Sequence, residues 1–210
     1  MSEATMEVTV SAPEKIPDKV RIKRAAKYHG QRAMAYLAVF AAMEAWVLAS
    51  DGLVIAKLLS IVAAWLAGSY LAGVFHEWGH FTGARLSGSY SPAVRKVTGL
   101  FMFGFSMEKN SPQQFLAMSL GGPTANWLLV LLVALFIPLD NVGGLALLAT
   151  VFGRAVAVVI FEGPVMYGVL QGGEPQDMLD RRIETGALDR SGTYGHIIAA
   201  ATFIAGLLLL

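Results

Sequence analysis

The sequence contains no cysteine and little charge: charged residues fill 15% of its 210 positions, against roughly 25% in soluble domains. The first absence excludes disulfides and thiolate metal ligands and leaves the redox compartment undetermined. The second leaves too few charges to cover a water-exposed surface, a demand that a lipid-facing surface does not make. Residues 1–32 are not expected to be a secretory leader, since they are polar and of mixed charge, with no apolar core and no small-residue cleavage site. The basic residues are not pooled on one domain, so the net charge of +1 gives no footprint for nucleic acid. There is no internal repeat and no low-complexity segment.

What the chain has instead is apolar sequence, 55% of its residues, gathered in five stretches. Spanning a bilayer takes about 20 apolar residues in a helix. The stretches place helices near 33–50, 56–85, 114–138, 144–170 and 194–210, after a mostly disordered basic tail over 1–32. The expectation is therefore an all-α, polytopic membrane domain over 33–210 with about five transmembrane helices. Lys19 to Arg32 reads either as a solvated linker or as a segment held at anionic headgroups.

Basic residues orient the chain, because short cytoplasmic loops are enriched in Lys and Arg. Seven of them precede helix 1; Arg85, Arg95, Lys96 and Lys109 fall at the end of helix 2 or between helices 2 and 3; Arg181, Arg182 and Arg190 lie between helices 4 and 5. The opposite side has only Lys57 near its turns. The N-terminus is thus expected in the cytoplasm and the C-terminus across the membrane, with the inner cell membrane as the expected location.

Within helix 2 stands His76-Glu77-Trp78-Gly79-His80. Residues four apart share a helix face, so one metal can bind both imidazoles. Glu77, beside them, can take a proton from an activated water and pass it to a leaving amine. Zinc suits imidazole and carboxylate donors and lowers the pKa of bound water to roughly 7. The bland alternative is a chance pattern on an ordinary helix. Against it stands the membrane setting, where ionisable groups are expensive and usually functional. The chain has four histidines, and the other two, His29 and His196, read as ordinary interfacial residues.

A second segment, Gly121-Gly122-Pro123-Thr124-Ala125-Asn126, reads as a helix entrance with Gly and Pro shaping the turn. Asn126 then lies about one turn inside the membrane and needs a partner; its amide is a candidate catalytic donor to a substrate carbonyl or oxyanion.

Together these segments resemble the site-2 protease family of intramembrane metalloproteases. His76 through Arg85 is similar to that family's zinc helix, including the small residues and Arg after the second His. Ser111 through Asn126 is similar to its second motif, Gly-Pro-x-x-Asn at a helix start. The resemblance covers about residues 58–170. It implies a zinc endopeptidase that cuts a membrane-anchored protein near the cytoplasmic side. The chain departs from the family at the third motif, Asn-x-x-Pro-x-x-Pro-Leu-Asp-Gly. Helix 4 offers Phe161-Glu162-Gly163 without the upstream Asn and prolines, and Arg154 takes the Asn-equivalent place.

Glu162 is nevertheless the expected third metal ligand. It lies eight residues before the cytoplasmic end of helix 4, about 12 Å, a depth that matches the histidines. Asp140 falls in the outward turn, and Asp177 and Asp180 fall in the polar inner loop. Between helices 2 and 3, Phe101, Phe103 and Phe105 alternate with the period of a strand. In the resembled family a membrane-dipping hairpin occupies this place and presents an edge to substrate. The segment is therefore expected as a short strand or hairpin that binds substrate; the alternative is a hydrophobic loop at the interface. Glu44 and Arg154 are two further intramembrane charges, either paired or lining a wet cavity. Two functions remain open: the zinc endopeptidase, and a protease-like subunit without catalysis that scaffolds membrane complex partners.

Overall fold

The computed structural model describes residues 16–210. Residues 1–15 of the expected tail lie outside the described residues. The rest of that tail is helical: α1 runs Asp18–Ala49, so the expected start at 33 falls well inside it. Asp18 in its first turn complements the positive end of the helix dipole.

Five more α-helices follow, with a short 3-10 turn at Met107–Lys109. They are α2 (Val54–Leu86), α3 (Pro112–Phe136), α4 (Val142–Leu170), α5 (Pro175–Glu184) and α6 (Ala187–Leu207). Each boundary has a local cause. Asp51 and Gly52 take positive φ angles of 50° and 77°, which turns α1 sharply into α2. Ser111 and Gln114 form a capping box, with Pro112 in the first turn of α3. Asn141 caps α4 by accepting from Gly144 N at 2.8 Å.

Four of these helices, α1 to α4, are long and apolar enough to cross a membrane. The chain is a multi-pass membrane protein, and the expected count of five is corrected to four. The reason lies in α6, whose first half carries Asp189, Arg190, Ser191, Thr193 and His196. Only its second half is continuously apolar, too short for a hydrocarbon core of about 30 Å. Leu58, Leu131 and Leu135 stand exposed on α2 and α3, as they do on a surface that meets lipid.

The expected strand or hairpin is also corrected. Among the described residues there is no strand; Ala93 and Phe103 form one isolated antiparallel bridge. Its two bonds are Val94 N to Met102 O at 2.9 Å and Gly104 N to Pro92 O at 3.0 Å. Pro92 has no N–H to continue the ladder, and Ala93 N instead donates to Asp18 Oδ1 at 2.9 Å. Arg21 of α1 grips the same residue, donating to Ala93 O at 2.7 Å. His29 is buried. Its ring accepts from Trp78 Nε1 and meets Gly99 O, both at 3.0 Å, and so ties α1 to α2 and to the loop.

Helix α2 is the hub, packed against α1, α3 and α4, while α6 lies along α4. Its inward face is a run of small residues, Ala63, Ala64, Ala67 and Ala72, around Leu71. In lipid, helices gain little by merely burying apolar groups, so close backbone approach carries the packing. The closest approach joins α2 to α3, where a Cβ on Gly79 would run into the Gly121 carbonyl. Gly79→Ala should therefore destabilise the fold by about 1–3 kcal/mol, as overpacking does. Gly192→Ala, where a Cβ meets nothing within 4 Å, should be neutral or gain up to about 1 kcal/mol. Unfolding in detergent micelles checks both, and equal effects would contradict this packing.

Candidate metal centre

The fold brings α2 and α4 side by side with their C-terminal ends level. His76 and His80 lie ten and six residues before Leu86, and Glu162 eight residues before Leu170. At 1.5 Å per residue all three sit about 9–15 Å from those ends. Their side chains meet: Glu162 Oε1 stands 3.1 Å from His76 Nε2 and 3.2 Å from His80 Nε2. The two Nε2 atoms are 2.9 Å apart.

The outer nitrogens of both rings are held. His76 Nδ1 meets Asn126 Oδ1 at 3.0 Å, and His80 Nδ1 meets the Met118 carbonyl at 2.8 Å. Both partners are oxygen acceptors, so each Nδ1 is the donor and each neutral ring turns the lone pair of Nε2 inward. While both rings are neutral, two imidazole lone pairs and one carboxylate oxygen face one another, and Glu162 Oε2 is buried without any partner. A cation resolves this repulsion. Four ligands around zinc at about 2.0–2.1 Å stand about 3.3 Å apart. The observed spacing of 2.9–3.2 Å fits three corners of that tetrahedron. Such outer hydrogen bonds are what fix the tautomer and orientation of ligating histidines.

Helix α3 supplies the wall behind the rings. Its start at Pro112 corrects the expected helix entrance: Gly121, Gly122 and Pro123 lie in mid-helix. A Cβ on Gly122 would lie 2.5 Å from His80 Cε1 and 2.8 Å from His76 Cε1, so glycine there makes room for both rings. Asn126 sits deeper than one turn, fully buried. Its carboxamide is engaged at both ends, with His76 and with Ala72 O at 3.0 Å. It therefore holds the His76 ring rather than facing the cavity as an oxyanion donor.

Helix α4 is adapted beside Glu162. Pro164 has no N–H for the Ile160 carbonyl, and Arg182 of α5 donates to that carbonyl instead, at 2.7 Å. The competing carboxylates stay apart. Asp140, Asp177 and Asp180 are exposed, and Asp180 bonds Gln176 at 2.9 Å. Glu44 and Arg154 do not pair: Glu44 bonds Ser60 at the other end of the bundle.

The three residues open on a cavity of ≈ 310 Å³, which Glu77 also lines. Phe101, Phe103 and Phe105 form part of its wall, with Phe115, Phe161 and Leu179. Met102, between two of these rings, is buried with Ala25 and Phe81, and Phe103 packs against the same cluster. The sequence reading missed Gly122, the Met118 carbonyl and Arg182. Only the first carried a signal, the Gly-Pro pair inside an apolar run.

Comparison with protein-family models, with curated proteins and with solved structures finds no match to this chain.

The purified protein should hold about one zinc ion per chain, as one three-ligand site requires. His80→Ala and Glu162→Ala should lose it, whereas Asp177→Ala should keep it. Asn126→Ala should weaken zinc binding by about 10- to 100-fold, the usual cost of removing a partner that orients a ligand. Elemental analysis and competition with a zinc chelator measure both, and undiminished zinc in Glu162→Ala would remove α4 from the site.

Proposed function

We propose that this protein is an intramembrane zinc endopeptidase of the site-2 protease type, acting on a membrane-anchored protein close to the cytoplasmic face. One observation carries the reading: His76, His80 and Glu162 converge in a single cavity that also holds Glu77 and the row of phenylalanines. Ionisable groups gathered at membrane depth mark a functional site.

His76, His80 and Glu162 would hold the metal, which when bound supplies a Lewis acid and a water acidified to a pKa of roughly 7. Glu77 is the catalytic base: it accepts the proton of the attacking water as the water oxygen adds to the scissile carbonyl carbon. The same carboxyl then returns that proton to the amine nitrogen as the carbon–nitrogen bond breaks. Asn126 and the Met118 carbonyl keep the two rings aimed inward throughout. The apolar wall excludes bulk water and accepts substrate side chains. Phe103 N–H takes no part in the bridge to Ala93. That side of the segment is free to pair with an extended substrate backbone, the form in which a peptide bond is reactive.

The distribution of basic residues sets the proposed topology, with the N-terminus and the site-bearing ends of α2 and α4 in or near the cytoplasm of a cell with an inner membrane. Helix α6 runs antiparallel to α4, with Gly195 against Gly153 and Gly206 against Leu145. It thus lies along α4 without forming an apolar span of its own, and its C-terminal end reaches the level of the outer end of α4.

A scaffolding role without catalysis is the second reading. It is favoured by the absence of the family's Asn and prolines upstream of Glu162.

Glu77→Gln should abolish cleavage of an unfolded or membrane-anchored model substrate while zinc content stays at the wild-type level. Cleavage by the variant at the wild-type rate would remove Glu77 from the reaction and sink the mechanism. Phe103→Pro should reduce cleavage and substrate crosslinking at unchanged zinc content, because proline removes the free N–H. The cysteine-free chain also permits a topology test with single introduced thiols. In intact cells an impermeant maleimide should label Asp140→Cys and spare Lys109→Cys; the reverse pattern would invert the topology.

A further inference from the structure

Arg154 is an intramembrane charge outside the site that, unlike Glu44, has no side-chain partner among the described residues. It lies twelve residues after the start of α4 and sixteen before its end. The helix is about 43 Å long against a hydrocarbon core of about 30 Å, so Arg154 stands near the midplane. Its side chain is exposed, on the surface where α2, α4 and α6 meet. Among the described residues it makes no ion pair and no side-chain hydrogen bond. A charged group at this depth ordinarily faces the bundle interior and pairs with an opposite charge. The midplane is too far from either interface for the side chain to snorkel out.

The surroundings are prepared for an anion. Trp65, Ser69, Thr150 and His196 surround Arg154 in a small depression between the three helices. Ser69 Oγ is buried and has no hydrogen-bond partner. His196 is exposed beside it. A guanidinium, an unused hydroxyl and an imidazole together offer a carboxylate several donors in a low-dielectric setting, where charge-assisted hydrogen bonds are strong.

Among the described residues, a second copy of this chain offers no such carboxylate at that depth. Glu77 and Glu162 line the cavity near the cytoplasmic ends. Glu44 is bonded to Ser60 and lies five residues from the outer end of α1, about 8 Å. None is both exposed and at the depth of Arg154. The remaining acidic residues of α1 to α6 lie near the helix ends or in α5.

We propose that Arg154 is the docking point for a transmembrane helix of a different protein, one that carries a carboxylate near the middle of its span. The ion pair fixes the depth of the partner helix, with Ser69 and His196 donating to the same carboxylate. This proposal stands apart from the proteolytic reading, since it uses no residue of the cavity.

The test uses the full chain reconstituted in phosphatidylcholine vesicles and labelled polyleucine transmembrane peptides with one central Glu, Gln or Leu. Energy transfer between labelled protein and peptide reads association. The Glu peptide should associate at least tenfold more tightly than the Gln and Leu peptides. Arg154→Gln should abolish that preference, and Arg154→Lys, which keeps the charge, should retain most of it and show that the fold tolerates the site's alteration. Moving the Glu two helical turns toward either peptide end should also remove the preference. An equal preference for Glu in wild type and Arg154→Gln would overturn the proposal. So would equal binding of all three peptides to the wild type, the result expected if Arg154 instead reaches lipid phosphate.

Discussion

Two neutral imidazoles and a carboxylate, drawn to within 2.9–3.2 Å of one another in a membrane interior, repel unless a cation lies among them. Much of the structure is arranged to make that approach happen. Helix α3 comes close enough to receive the ring nitrogens at Asn126 and Met118 only because Gly79 and Gly121 let the two backbones touch. Gly122 leaves room for the rings, and α4 presents Glu162 from the other side. Three helices are thereby held in one register by a small polar cluster, in a bundle whose remaining contacts are mostly small and apolar. In lipid such polar contacts specify geometry more than they add stability.

Prolines in the middle of α3 and α4 belong to the same scheme. Each removes the donor for the carbonyl four residues back, Ser119 in α3 and Ile160 in α4. Ser119 lines the cavity, and Ile160 is served by Arg182 from outside the helix. Helix backbone next to the site is thus deliberately less regular, which is tolerated at membrane depth only where it faces protein or a cavity. Helix α5, folded back under the bundle, completes the cavity wall through Leu179 and compensates α4 through Arg182. The N-terminal half of α1 plays the matching part on the other flank, where Asp18, Arg21 and His29 tie down the loop that carries the phenylalanines.

Residue type and helical period were enough to read the four long helices and the pairing of His76 with His80, because both are local properties. Depth along an antiparallel bundle was enough to single out Glu162 from the other carboxylates, because helix rise converts position into height. What local pattern could not reveal is anything decided by a partner. Asn126 was read as facing substrate, yet it faces His76 and Ala72, a choice made by the rotation of α3 against α2. The helical reach of α1 back to Asp18 was hidden by its charge, since residues 18–32 gain their order from Ala93, Gly99 and Trp78 rather than from an apolar face of their own. The phenylalanine row has the alternation of a strand, but Pro92 and the grip of Asp18 on Ala93 N–H stop the ladder at one bridge. The apolar half of α6 suggested a fifth span, and its polar first half denies it that length.

X-ray absorption at the zinc edge of the purified, zinc-loaded protein tests the central claim most directly. The account predicts only nitrogen and oxygen neighbours at about 2.0–2.2 Å, with the multiple-scattering pattern of two imidazoles. A zinc surrounded by oxygen alone, without imidazole scattering, or a protein that takes up no zinc at all, would contradict it.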